Sequence, residues 1–337
     1  MPERRFVLSI DGGGMRGIVP ALVLAEIEQR TGKRIADLFD LVGGTSTGGL
    51  LALGLVKPGG DGPQYRALDL VDLYAEEGDV IFAQSTLWKI RSLGGLAEER
   101  YDERPLEGLL RDRYFGETMT SEALAELVIT SYDLHTSHPF FFKRSYAQER
   151  TDWDYPMWWV ARSTSAAPTY FEPFLIEKRL PDEVDHVLVD GGVFANNPTL
   201  CAYVEALDKW GADTEVVVCS IGTGEKKGRG LTKEEVDGWG AGKWATTILD
   251  TVFDGVSDSV DYQMRILCRH GEGEHPRYYR LQIVIPQRMS AALDNATPEQ
   301  VRALKGLGQE LIQRSGEQLD ALCRQLTEPR VSASANP

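Results

Sequence analysis

An α/β fold is predicted by three stretches in which a short apolar run ends in a glycine-bearing turn. They are Phe6-Val7-Leu8-Ser9-Ile10 before Asp11-Gly12-Gly13-Gly14, Phe39-Asp40-Leu41-Val42 before Gly43-Gly44-Thr45-Ser46, and Val187-Leu188-Val189 before Asp190-Gly191-Gly192. The first two turns lead into helical patterns, and strand signals alternating with helix signals mark the α/β class. A length of 337 residues suits one large α/β domain or two small ones, and 42% hydrophobic residues suffice for a substantial core.

Phe6 to Ile10 reads as a short buried strand, and a helix is expected from about Ile18 to Arg30, with Pro20 tolerated in its first turn. The apolar run Phe39 to Val42 is the next strand, and Leu50 to Val56 belongs to the helix beyond the serine turn. Lys57 to Pro63 is a polar Gly/Pro loop. Residues 64–120 are mostly helical in pattern, with one helix around Leu68–Tyr74, another around Leu106–Leu110, and a mobile connection at Lys89–Gly95. Leu127–Tyr132 and Phe140–Lys143 are strands. The small residues 161–167 would let a helix pack close to another backbone. Val187–Val189 and Val216–Ile221 are further buried strands. The second is closed by Gly222-Thr223-Gly224, and residues 225–242 form a polar loop. Asn197 is expected as the N-cap, and Pro198 as the first residue, of a helix reaching Trp210. Trp244, Ile248, Val252, Val256, Val260 and Met264 recur at every fourth position, marking a long amphipathic helix whose stripe is expected to dock on the sheet. Tyr278–Ile285 alternates as a strand, and residues 298–323 form the last helix. No internal repeat is visible.

Acidic residues outnumber basic ones 51 to 36, for a formal charge of −15. That excludes bulk nucleic-acid binding and opposes bulk attraction to an anionic bilayer. Cys201, Cys219, Cys268 and Cys323 form no C-x-x-C pair, which points to thiols of a reducing compartment and to no zinc or redox motif. The N-terminal apolar run is too short for a signal-peptide core, and no stretch approaches the ~18–20 apolar residues of a membrane span. A soluble, cytoplasmic protein is expected.

Gly44, Ser46 and Gly48 form a G-x-S-x-G between strand and helix. Flanking glycines suit a turn too cramped for Cβ atoms, and the helix N-terminus beneath the serine favours a developing negative charge. Gly12, Gly14 and Gly17 also read as G-x-G-x-x-G after a strand, the pattern of a dinucleotide-binding turn. Asp37 and Asp40 lie at about the distance of a ribose-binding acid, but the second strand ends in the serine turn instead. A glycine loop aiming its N–H groups at an oxyanion is the more economical reading. Asp190, at the end of a strand and before two glycines, supplies a carboxylate. Serine must lose its proton as it attacks an ester, and an exposed aspartate near pKa ~3.9 is a poor base. Burial beside Val187 and Val189 would raise it toward neutrality. None of the five histidines (His135, His138, His186, His270, His275) has a turn built around it as Ser46 does. A Ser-His-Asp triad is the runner-up, and a nucleotide-binding protein and a catalytically silent relative are further alternatives. Trp153, Trp158, Trp159, Tyr170 and Phe171 are expected near an acyl path, with core filling as the other role that fits them.

The chain resembles the patatin-like phospholipase family. Asp11-Gly12-Gly13-Gly14-Met15-Arg16-Gly17 matches D-G-G-G-x-[RK]-G, Gly44-Thr45-Ser46-Thr47-Gly48 matches G-T-S-x-G, and Asp190-Gly191-Gly192 matches D-G-[GA]. Ser165–Phe171 and Asn196-Asn197-Pro198 also look like family blocks. The likeness covers about residues 6–225. It implies a three-layer α/β/α core with a mainly parallel central sheet; one domain over residues 1–325 is expected, with helical elaboration at about 64–120 and, from the small residues that end the chain, a disordered tail at 326–337. It also implies a Ser-Asp dyad hydrolysing membrane phospholipid, with Ser46 as nucleophile, Asp190 as base and Gly12, Gly13 and Gly14 as the oxyanion hole, Arg16 beside it. No cofactor or metal is needed. Some relatives are bacterial antiphage effectors that degrade membrane lipid at the inner membrane when a cyclic nucleotide binds, so a cyclic-nucleotide activator belongs among the expectations, although no stretch marks its site. The sequence does not speak to oligomeric state.

Overall fold

A computed structural model of the chain describes residues 4–81, 101–180, 184–226, 231–269 and 276–329. Lys89–Gly95, His270 and His275 lie outside them. The central sheet contains strands β1 (Arg4–Ile10), β2 (Leu41–Thr45), β5 (Glu126–Asp133), β6 (His138–Lys143), β7 (Phe174–Ile176), β8 (His186–Asp190), β9 (Glu215–Ile221) and β10 (Tyr278–Leu281). Pro58–Gly59 (β3) and Gly62–Pro63 (β4) form a small antiparallel ladder inside the stretch expected to be loop. The main order is β10-β9-β1-β2-β5-β8-β7, with β6 also paired to β5. β10, β9, β1, β2 and β5 run parallel, whereas β8 runs antiparallel to β5, as do β6 to β5 and β7 to β8. This is the mainly parallel, helix-flanked α/β sheet anticipated from the motifs.

Both faces of the sheet are covered, as parallel strands require. One face packs Phe6, Leu8, Ile10 and Val42 against the helix Ile18–Thr31, the elbow helix Thr47–Val56 and the C-terminal helices. The other packs Val7, Leu41 and Val128 against Ala202 and Ala206 of the helix Thr199–Trp210, and against Met264 of the long helix Ala241–Leu267. Small side chains at Ala202 and Ala206 allow that helix to lie close, and Gly43 faces Ala202 Cβ directly.

Several boundaries differ from the sequence reading. The C-terminal helix is two helices, Pro298–Arg314 and Gly316–Thr327, broken at Ser315. The second carries helix two residues into the stretch expected as tail, where burial of Leu326 holds it down. Within the long helix Phe253 and Met264 are buried, whereas Trp244 and Ile248 nearer its N-terminus are exposed. The i+4 stripe drifts around the helix, so its two ends face different surroundings. The helix after Asn197 begins at Thr199 with Pro198 at the N-cap, and Asn197 Oδ1 accepts the Thr199 N–H at 3.1 Å. No helix of the described residues is long and apolar enough to cross a membrane.

Candidate active site

The serine turn follows from its glycines. Ser46 has φ 54° and ψ −125°, a conformation unusual for a residue with a Cβ. A Cβ on Gly44 would overlap the Gly48 carbonyl, and one on Gly48 would overlap the Ile10 carbonyl at the end of β1. The turn is then held from a third element. Thr164, at the end of the helix Met157–Thr164, accepts the Ser46 N–H at 2.9 Å and donates to Thr130 O at 2.7 Å. That helix approaches closely because Gly49 leaves room for the Thr164 methyl. Thr45 Oγ1 lies 2.7 Å from Thr130 Oγ1 and donates to Ala195 O at 2.6 Å, tying β2 and β5 to the segment after Asp190.

Asp190 reaches Ser46 by a route the sequence did not reveal. Its strand runs antiparallel, so Asp190 is not at the carboxyl edge that a parallel strand would give it. Instead β6 fills one edge of β5 over Val128–Asp133, and β2 and β8 share the other edge, with Thr45 opposite Thr130 and Asp190 opposite Ser131, so that the ends of the two strands meet. Gly191 is required there, because a Cβ would run into Thr130. Asp190 is buried, 1% exposed. Its carboxylate accepts the Gly192 N–H at 2.7 Å, and Asp190 and Ser46 line the same cleft. Burial pushes its pKa up to about 7, against the smaller downward pull of the nearby Ser46 hydroxyl and the Gly192 N–H.

Ser46 and Asp190 open into one cleft of about 620 Å³, counted with its open mouth. Gly13, Gly14, Asn196 and Ser165 line its polar end, and Leu50, Tyr74, Ile81, Leu106, Phe171 and Phe253 give apolar walls. Leu293, in the segment before the C-terminal helices, closes over the glycine loop: its carbonyl accepts the Met15 N–H at 2.8 Å.

The glycine loop lies beside the serine, where a Cβ on Gly12 would come close to Ser46 Cβ. The Gly12 N–H is donated to Asn196 O at 2.9 Å, so it is engaged, whereas the Gly13 and Gly14 amides take no part in the turn and loop hydrogen bonds of the described residues. Arg16 does not line the cleft. It is buried behind the loop, with Nε donating to Gly13 O at 3.3 Å and a guanidinium NH group to Gly224 O at 3.2 Å. Gly17 gives Thr47 and Tyr74 room, since a Cβ would strike both.

Of the aromatics expected along the acyl path, Tyr170 and Phe171 line the cleft. Trp153 instead stacks on Phe140 at 5.4 Å, while Trp158 and Trp159 pack on Phe174. Among the described residues no histidine lines the cleft, and His186 Nδ1 is 2.8 Å from Asp133 Oδ2, away from Ser46. Thr164, Phe253 and Leu293 had no signal in the sequence beyond their residue types, because their roles come from elements far apart in the chain, whereas Asn196 was marked only as part of the Asn196-Asn197-Pro198 block.

A family model described as patatin-like phospholipase matches residues 8–203. Patatin-like protein 1 of Oryza sativa subsp. indica is 32% identical over 342 residues, covering 92% of this chain and 81% of its own. Patatin-like protein 2 of Arabidopsis thaliana is 33% identical, with 91% and 83% covered. A protein named probable inactive patatin-3-Kuras 1, from Solanum tuberosum, is 31% identical, with 92% and 86% covered. Fold and comparisons together place the molecule among lipid acyl hydrolases. The chain belongs to the patatin-like phospholipase family.

Proposed function

We propose that this chain is a phospholipase A-type hydrolase of glycerophospholipid esters, working through a Ser46–Asp190 dyad and an acyl-enzyme. The observation that carries the reading is that Ser46 and a buried Asp190, whose pKa burial pushes up to about 7, line one largely apolar cleft. Such a carboxylate is ionised in part at neutral pH yet basic enough to take a proton. As Ser46 Oγ attacks the ester carbonyl, its proton passes to Asp190. The carbonyl oxygen becomes an oxyanion facing the Gly13 and Gly14 N–H groups and the N-terminus of the elbow helix. Collapse expels the lysolipid alkoxide, which takes the proton from Asp190. Asp190 then takes a proton from a water that attacks the acyl-Ser46 ester, and returns that proton to the departing Ser46 Oγ as the fatty acid is released, which restores both the serine hydroxyl and the carboxylate.

The apolar walls supply substrate affinity, at about 0.8 kcal/mol per buried CH₂. The resemblance alone supports the finer role of a cyclic-nucleotide-activated antiphage effector acting at the inner membrane. A silent member is the competing reading, because one relative is named probable inactive; the presence of both Ser46 and Asp190 favours activity.

Labelling with a fluorophosphonate, followed by peptide mass analysis, should modify Ser46. Ser46→Ala and Asp190→Asn should each remove nearly all esterase activity, and the double variant should be no worse than either, because a dyad acts as a unit. Substantial turnover by folded Ser46→Ala protein would refute the assignment. Fatty-acid release from phospholipid vesicles, with and without cyclic nucleotides, tests substrate class and activation. Turnover of a soluble ester with no release from any vesicle points to a general esterase.

A further inference from the structure

The glycine loop is held at its root by a residue far outside the family match. Asp11, the first residue of the loop, is 2% exposed, and both its carboxylate oxygens are taken by Arg280: one guanidinium NH group donates to Oδ1 at 2.9 Å, the other to Oδ2 at 2.6 Å. The Arg280 side chain is 6% exposed. It comes from β10, where it lies in register with Ser220 of β9, and it also donates to Ser220 Oγ at 2.8 Å. Ser220 Oγ lies 2.7 Å from Thr199 Oγ1, and Thr199 contacts Asn197 Oδ1 and Ser9 Oγ. Asn197 adjoins Asn196, whose carbonyl receives the Gly12 N–H. A buried polar chain thus joins the two backbone segments that frame the glycine loop.

β10 supports the loop a second way. Gln282, just past the strand, accepts the Gly224 N–H at 2.9 Å, the Gly224 carbonyl holds Arg16, and Thr223 Oγ1 donates to Gly12 O at 2.8 Å. Asp11 N–H itself donates to Ile221 O at 3.0 Å. The loop hangs from the β9–β10 edge of the sheet, and Arg280 is the charged fastening of that edge.

We propose that Arg280 is a positioning residue for ester hydrolysis: by clamping Asp11 bidentately it sets the direction of the Gly13 and Gly14 amides relative to Ser46. A planar guanidinium fork fixes a carboxylate's position and orientation, whereas an ammonium fixes neither. Arg280 touches no reacting atom, so its effect falls on turnover per site. The proposal rests on the dyad reading given above.

The experiment measures kcat and KM on a soluble short-chain ester for wild type, Arg280→Lys and Arg280→Met, normalised to active sites titrated to end point with a fluorophosphonate. Because a misdirected donor loses much of the ~10²–10³-fold such donors provide, kcat per titrated site should fall about 10-fold in Arg280→Lys and about 100-fold in Arg280→Met. KM should stay within about threefold in both, because the cleft walls are untouched. A residue that only stabilised the fold would instead reduce the number of titratable sites and leave kcat per site alone. If Arg280→Met does not fold, Arg280→Lys, which keeps the charge, carries the test. A kcat per titrated site in Arg280→Lys within about twofold of wild type overturns the proposal. Failure of the underlying reading shows separately, as wild-type protein that is not labelled at Ser46.

Discussion

Asp190 combines two properties that pull against each other. Burial makes it a competent base near neutrality, and the same burial makes its charge costly to the fold. Since catalysis needs the ionised form, kcat/KM on a soluble ester should rise with pH and reach half its plateau at about 7. A profile flat from pH 5 to 9 would contradict that role. The stability consequence has the opposite sign. A carboxyl whose folded pKa lies above its unfolded value stabilises fully only while protonated, and that contribution is lost as pH rises through the folded pKa. Asp190→Asn should therefore melt higher than wild type at pH 8, with the gap shrinking toward pH 4. A gap independent of pH would show that the carboxyl is not held neutral by its surroundings.

The nucleophile elbow depends on an element that the serine motif does not contain. Thr164 accepts the Ser46 N–H and donates to Thr130 O, so it fixes the strained turn to β5. Thr164→Val keeps the shape but leaves both groups without their partner, at a cost of about 1–3 kcal/mol for each buried group left unsatisfied. It should lower the denaturation midpoint and reduce kcat, and Thr164→Ser should restore most of both. Equal stability and turnover in Thr164→Val would mean that the glycines alone hold the turn. The glycine loop gives a companion test. A side chain at Gly13 would overlap Thr223, which itself holds the Gly12 carbonyl. Gly13→Val should accordingly cripple kcat while KM changes little. An unchanged kcat would tell against an oxyanion role for this loop. These elements also show what was legible in advance. The glycines at 44, 48, 12 and 13 mark close backbone approach in the sequence itself, because nothing else explains their density. Thr164 carries no such mark, since a threonine near a helix end has many uses.

At the scale of the whole molecule, an acidic chain is proposed to act on lipid. The net charge of −15 repels an anionic bilayer over a screening length of ~8–10 Å at moderate salt. The cleft, by contrast, is apolar and opens beside Phe253 of the long helix, whose outer half exposes Trp244 and Ile248. Fatty-acid release from anionic vesicles should therefore increase between about 10 mM and 150 mM salt as that repulsion is screened, while hydrolysis of a neutral short-chain ester stays constant. A salt response shared by both substrates would place its origin in the enzyme rather than at the bilayer.

The sequence by itself determined the α/β class, the serine turn, the glycine loop and the carboxylate before two glycines. Each of these is a local backbone demand, and a strand that must turn sharply without a Cβ shows its glycines to any reader. Tertiary structure alone decided how those parts meet. It reversed β8 so that Asp190 arrives opposite Ser131, engaged the Gly12 amide with Asn196, and turned Arg16 behind the loop. It also moved three tryptophans out of the acyl path and brought in Phe253, Leu293 and Arg280 from beyond residue 240. The reason is the same in every case. Strand direction, register and hydrogen-bond partners between distant segments are set by which faces pack together, and residue spacing along one segment carries no information about them.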